Sequence, residues 1–158
     1  MNKENVKEKG ITLGECYGLN RAVFNLLSSV PTMKGKIIHT LSWNENKLES
    51  LLKNADKKQT KILKKYVTLN EDGSYKLTEL SAEEIAAGAQ PKYVYKVESD
   101  REKAQEEIQA LMDEEVDINL RKFHINDFNN LDIAPARNQS IGLLVKYLIT
   151  EETDLHLA

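Results

Sequence analysis

The stretch Lys36–Tyr66, KIIHTLSWNENKLESLLKNADKKQTKILKKY, decides the fold. Ile38, Leu41, Leu48, Leu52, Ala55, Ile62 and Tyr66 follow one another at three- and four-residue steps, with Glu45 and Gln59 as the only interruptions. A stripe sustained that long predicts one amphipathic helix with one face pressed against a partner. Ser42-Trp43-Asn44-Glu45 is itself a capping-box pattern, so a start or a bend at Ser42 is the rival reading.

Working outward, residues 99–115 supply a second stripe, Ala104, Ile108, Leu111 and Met112, behind a capping-box match at Ser99 and Glu102. The two helices are opposite in charge. Lys53, Lys57, Lys58, Lys61, Lys64 and Lys65 crowd the first, and Glu102, Glu106, Glu107, Asp113, Glu114 and Glu115 the second. Packed antiparallel they would form a hairpin held by its apolar seam, because exposed ion pairs contribute only about 0–1 kcal/mol each. Two solvated faces that never meet are the other reading of those charges.

Between the helices the period changes from helical to alternating. Val67-Thr68-Leu69 and Ser74-Tyr75-Lys76-Leu77 flank a reversal at Asp72-Gly73, where glycine accepts a positive φ. Ser81 caps a short helix ending at Gly88, and Tyr93 to Val97 alternates as a strand. Residues 67–98 therefore form a small β element at the tip of the hairpin.

Before the long helix, a polar arm over residues 1–11 leads to the capping box Thr12-Leu13-Gly14-Glu15 and a helix over about 13–29, stopped by Pro31. Gly14 and Gly18 weaken its first turns, since glycine costs about 1 kcal/mol in a helix interior. After the acidic helix, Val116, Ile118 and Leu120 alternate with polar residues as a half-buried strand. Phe123 and Ile125 take the opposite parity, which predicts a bulge near Lys122. Residues 126–138 are turn-rich. The apolar run Ile141 to Ile149 fits a core helix or a buried strand. The expectation is one α+β domain of 158 residues, mainly α, with a further strand after the second helix.

Composition narrows the function classes. Charged residues at 30% and apolar ones at 41% mark a chain that folds rather than stays disordered. A net charge of −3 argues against a surface wholly devoted to nucleic acid, while leaving room for a local basic stripe. Cys16 is the one cysteine, so no internal disulfide can form. Neither a signal-like apolar run nor a membrane-length segment is visible, so a cytoplasmic protein is expected.

Chemistry is sparse. His39, His124 and His156 are scattered, and Cys16 has no CxxC partner, so no metal site and no cofactor are expected. His39 reads as a core-edge histidine. Cys16 lies near a helix N-terminus, which can lower a thiol pKa, but no nucleophile elbow or phosphate-binding glycine loop accompanies it. The acidic runs read as solvated faces.

Two binding readings remain. Surplus apolar residues, Trp43 and the Ile141–Ile149 run with the tip tyrosines Tyr75, Tyr93 and Tyr95, suit an interface with a second copy or another protein. The lysines Lys53, Lys57, Lys58, Lys61, Lys64 and Lys65, with Tyr66, suit a phosphate ligand, either a nucleotide or nucleic acid.

The segment from Lys34 to Ile118 resembles a family of small helical-hairpin proteins encoded by tailed bacteriophages. The resemblance rests on Lys34-Gly35-Lys36 opening a lysine-rich helix, on Asp72-Gly73, and on Glu114-Glu115-Val116-Asp117-Ile118 after an acidic helix. No established activity or catalytic residue comes with it. It implies a viral setting, in the host cell or the virion. An accessory or structural role without enzymatic activity follows as the expectation, with nucleotide or nucleic-acid sequestration as the alternative.

Overall fold

A computed structural model describes residues 10–29, 35–129 and 141–150. His156, the start of the polar arm and most of the turn-rich 126–138 segment lie outside them. The protein is α+β and mainly α. In order, the elements are α1 (Leu13–Ser29), α2 (Gly35–Tyr66), α3 (Ala82–Ala86), α4 (Asp100–Met112), β1 (Phe123–His124), α5 (Ile125–Asn129), α6 (Ile141–Leu148) and β2 (Ile149–Thr150). The chain forms two compact units, Met1–Asn54 with Met112–Ala158, and Ala55–Leu111. At 32 residues, α2 is long enough to serve both.

In the first unit the α1 capping box forms as its sequence dictates. The Glu15 amide donates to Thr12 Oγ1 at 3.2 Å, and the Thr12 amide donates back to Glu15 Oε1 at 3.3 Å. Leu13, Cys16, Leu19, Ala22, Val23 and Leu26 of α1 are buried, as are Leu144 and Leu148 of α6, which packs on α1. The α1 glycines permit close approach. A Cβ at Gly18 would stand 2.6 Å from Leu143 Cδ1, and one at Gly14 would stand 3.3 Å from the Met112 carbonyl oxygen. Their cost in helix propensity is offset by that packing.

Helix α2 runs unbroken from Gly35, so it does not start at Ser42. Its buried stripe begins at Ile37, not Ile38, which is 40% exposed. The stripe then continues through Leu41, Asn44 and Leu48, bridging the apparent break at Glu45 with an asparagine that is 0% exposed. Asn44 Nδ2 donates to the Arg121 carbonyl at 2.9 Å, and the Arg121 amide donates to Asn44 Oδ1 at 2.8 Å. One side-chain amide thus supplies both halves of a strand pairing to an extended segment that has no strand beside it there.

That extended segment is less regular than its alternation predicts. Glu115 bridges Thr12 antiparallel, and Phe123–His124 pairs in parallel with Ile149–Thr150. Ile125 opens α5 instead of extending the strand past a bulge. The run expected as helix or strand is both in turn, α6 to Leu148 and then β2.

In the second unit, α4 ends at Met112, short of Glu115, and its Glu107 meets Lys65 and Tyr66 in the last turn of α2. Ala55, Val67, Ala104 and Leu111 are its buried apolar residues. The reciprocal Ser99–Glu102 bonds expected at its start are not among the hydrogen bonds of the described residues. Instead the Asp100 amide donates to the Val97 carbonyl at 3.0 Å.

Replacing Asn44 with leucine strips the Arg121 amide and carbonyl of their partners. Two orphaned backbone groups at about 1–3 kcal/mol each predict a loss of about 2–6 kcal/mol in urea unfolding. A loss under about 1 kcal/mol would show that water reaches them.

Candidate interaction surfaces

The tip is built from three short extended segments, 67–69, 75–77 and 93–95. Gly73 takes φ 83° at the predicted reversal, and the Asn70 amide donates to the Ser74 carbonyl at 2.8 Å. Val67 bridges Tyr95, Leu69 bridges Tyr75, and Leu77 bridges Tyr93, all antiparallel, so each segment pairs with both others. The central amides close a ring: Thr68 donates to Val94 at 2.8 Å, Val94 to Lys76 at 2.9 Å, and Lys76 to Thr68 at 2.8 Å.

Bridged residues point their side chains the same way, and residues two apart in a strand share a face. Val67, Leu69, Tyr75, Leu77, Tyr93 and Tyr95 therefore form one face, and all six are apolar or aromatic. Val67 is buried and Tyr75 and Tyr95 are half-buried, whereas Leu69, Leu77 and Tyr93 are 38%, 46% and 39% exposed. The Tyr75 and Tyr93 rings meet edge to face, 5.4 Å apart at 67°. Helix α3, correctly predicted at its Ser81–Glu84 capping box and Gly88 terminus, buries no residue, and its Ile85 is 62% exposed.

The lysine stripe keeps to the solvent side of α2. Lys53, Lys57, Lys58, Lys61, Lys64 and Lys65 are all exposed. At roughly 100° per residue, the five from Lys57 to Lys65 span an arc of about 120°, centred nearly opposite the half-buried Gln59, Ile62 and Tyr66. The two helices meet at Glu107, whose Oε1 accepts from Lys65 Nζ and from the Tyr66 hydroxyl, each at 2.7 Å. The Tyr66 hydroxyl is thus a strut to α4, and Lys65 Nζ stands 4.9 Å from the centre of its ring. Lys96 Nζ donates to the Lys64 carbonyl at 3.2 Å, adding a cation at the negative end of the α2 dipole.

Trp43 is half-buried, with the Arg121 guanidinium 4.2 Å and the Lys47 ammonium 5.1 Å from its ring centre. These contacts lie within its own unit. Leu144 and Leu148 are likewise spent on packing. His39 is exposed, not core-edge. His124 Nδ1 accepts the Asn126 amide at 3.1 Å, which places a neutral ring's proton on Nε2.

Two groups of α1 are shifted by their surroundings. Cys16 is fully buried, and burial, with the Glu15 carboxylate adding, pushes its thiol up to about 11, the reverse of the lowering its helix position suggested. Burial pushes Glu15 upward too. That push is outweighed by the Tyr147 hydroxyl at 2.6 Å, the Thr12 amide and the Lys146 ammonium at 3.2 Å, which bring it down to about 2. A groove of about 610 Å³ between Ile11, residues 116–120, Lys122 and Tyr147 gathers no nucleophile with a base. No group of three or more His, Cys, Asp or Glu able to hold a metal occurs among the described residues. No helix of the described residues is long and apolar enough to cross a membrane.

Compared with protein-family models, curated proteins and solved structures, the chain matches none.

Because its folded pKa of about 2 lies below the unfolded 4.5, ionised Glu15 adds stability that is complete above pH 4.5 and fades toward pH 2. The stability gap between wild type and Glu15→Gln should be widest near neutrality and close across that window in urea titrations. A gap constant with pH would mean the carboxylate charge is not what holds Tyr147 and Lys146. Thiol titration should find Cys16 unreactive in the native protein and fully reactive in denaturant.

Proposed function

We propose that this is a non-enzymatic interaction protein that recognises its partner through the apolar face of the tip, first of all a second copy of itself. The observation that carries this reading is the six-residue face of Val67, Leu69, Tyr75, Leu77, Tyr93 and Tyr95, only part of which the fold covers. Of the seven large hydrophobic residues exposed among the described ones, five, Leu69, Leu77, Ile85, Tyr93 and Val97, belong to this one segment of chain. Scattered exposed leucines need no explanation, but a face held together by strand pairing is what an interface core requires.

Self-association is favoured by the rim. Glu71, Glu79 and Lys92 lie just beyond the paired segments 67–69, 75–77 and 93–95, so residues of both signs adjoin the segments that carry the apolar face. A patch of mixed sign can meet its own copy about a two-fold axis without like charges colliding. The resemblance to small proteins of tailed bacteriophages supports an accessory or structural role in the host cell or virion.

Light scattering across a concentration series tests this. The wild type should gain mass with concentration, and Leu77→Asp with Tyr93→Ser should stay monomeric. Its circular dichroism should not change, since exposed substitutions usually shift stability by under about 0.5 kcal/mol. A wild type that remains monomeric at every concentration overturns self-association. A variant that still associates moves the interface off the tip.

A further inference from the structure

The lysine face of α2 is independent of the tip's apolar face and makes a separate demand on a ligand. Lys57, Lys58, Lys61, Lys64 and Lys65 occupy nine consecutive residues of a rigid helix. At about 1.5 Å per residue they cover roughly 12 Å, one positive charge per about 3 Å. A single strand of duplex DNA carries one negative charge per about 3.4 Å of axis. The only carboxylate on α2 beyond Glu49 is Asp56. At roughly 100° per residue it falls outside the lysine arc; Glu107 of α4 reaches the arc at its edge, on Lys65 at 2.7 Å. Lys96, seated on the Lys64 carbonyl, extends it past the helix end.

We propose that this face, Lys57, Lys58, Lys61, Lys64 and Lys65 with Lys96, binds nucleic acid through its phosphates and without regard to sequence. The chain's net charge of −3 does not forbid it, because charges beyond the Debye length of about 8 Å at physiological ionic strength are largely screened. Sequence indifference follows from the residue types. There is no arginine on α2 to fork onto a guanine edge, and lysines act on phosphate as point charges.

Other anionic partners fit less well. A free nucleotide needs a concave site that covers most of its surface, and the exposed side of one helix is convex. An anionic membrane is gripped by helices that turn their apolar stripe into the lipid, whereas the stripe of α2 is turned inward against its own unit. An acidic protein surface is met chiefly through arginine and aromatic anchors, and Tyr66 is committed to Glu107.

The experiment is a salt titration of the full chain against a short DNA duplex, with a single-stranded oligonucleotide and phosphatidylserine vesicles in parallel. Five phosphate contacts predict log K falling against log salt with a slope of about −3.5 to −4.5, roughly a 10²–10³-fold loss between 50 and 200 mM. Shuffled sequences should bind equally. Lys57→Gln, Lys61→Gln and Lys64→Gln together should shallow the slope by about 2–3. The matching arginine triple should retain it, which separates lost charge from lost fold. Absence of nucleic-acid binding at low salt, binding unmoved by the glutamine triple, or binding to vesicles alone would each overturn the proposal. So would a glutamine triple that alters only the self-association mass.

Discussion

A helix can turn only one side inward, and the 32 residues of α2 make that constraint govern both units. Ile37, Leu41, Leu48, Leu52 and Ala55 claim the inner side, and the lysines follow by exclusion to the outer one. Where the stripe needs a residue and the sequence offers Asn44, the polar side chain is buried and its amide is matched bond for bond by the Arg121 backbone. The same residue thereby fixes the extended segment against α2. Its burial costs little because both halves of the amide are satisfied.

The two exposed surfaces differ in origin. The lysine face is what remains when a helix has buried its apolar side. The tip face is a surplus, since its strands are too short to cover six apolar side chains with only Val67 fully enclosed. Packing also fixes two groups of α1. Cys16 is sealed in the α1 core, and Glu15 is locked between the start of α1 and Tyr147 of α6.

Much of this was legible in the amino-acid sequence. Helix bounds for α1 and α2, the Thr12 and Ser81 caps and the Gly73 reversal followed from period and capping chemistry, which are local. What period alone could not supply was phase at a helix end. Ile37 and Ile38 are adjacent, and only contacts from elsewhere decide which is buried. Asn44 was passed over because a polar residue enters a buried stripe only when a distant backbone, here at Arg121, meets it. Trp43 and the α6 residues read equally as core or as interface, because their contacts, with Arg121 and with α1, come from distant parts of the chain. The tip face was half visible: Tyr75, Tyr93 and Tyr95 were singled out, while Leu69 and Leu77 went unnoticed, although the alternation that produces the strands also puts them beside the tyrosines.

The mutual donation among Thr68, Lys76 and Val94 has a consequence for how the tip comes apart. A linear sheet can fray from an outer strand while the rest holds, but a closed triangle has no outer strand. Detaching any one segment removes two of the three pairings and leaves a lone two-residue bridge, which cannot persist in water. Opening is therefore all-or-none, and the slowest-exchanging amides of this segment should share a single protection factor. A binding face mounted on such a triangle is either fully assembled or absent.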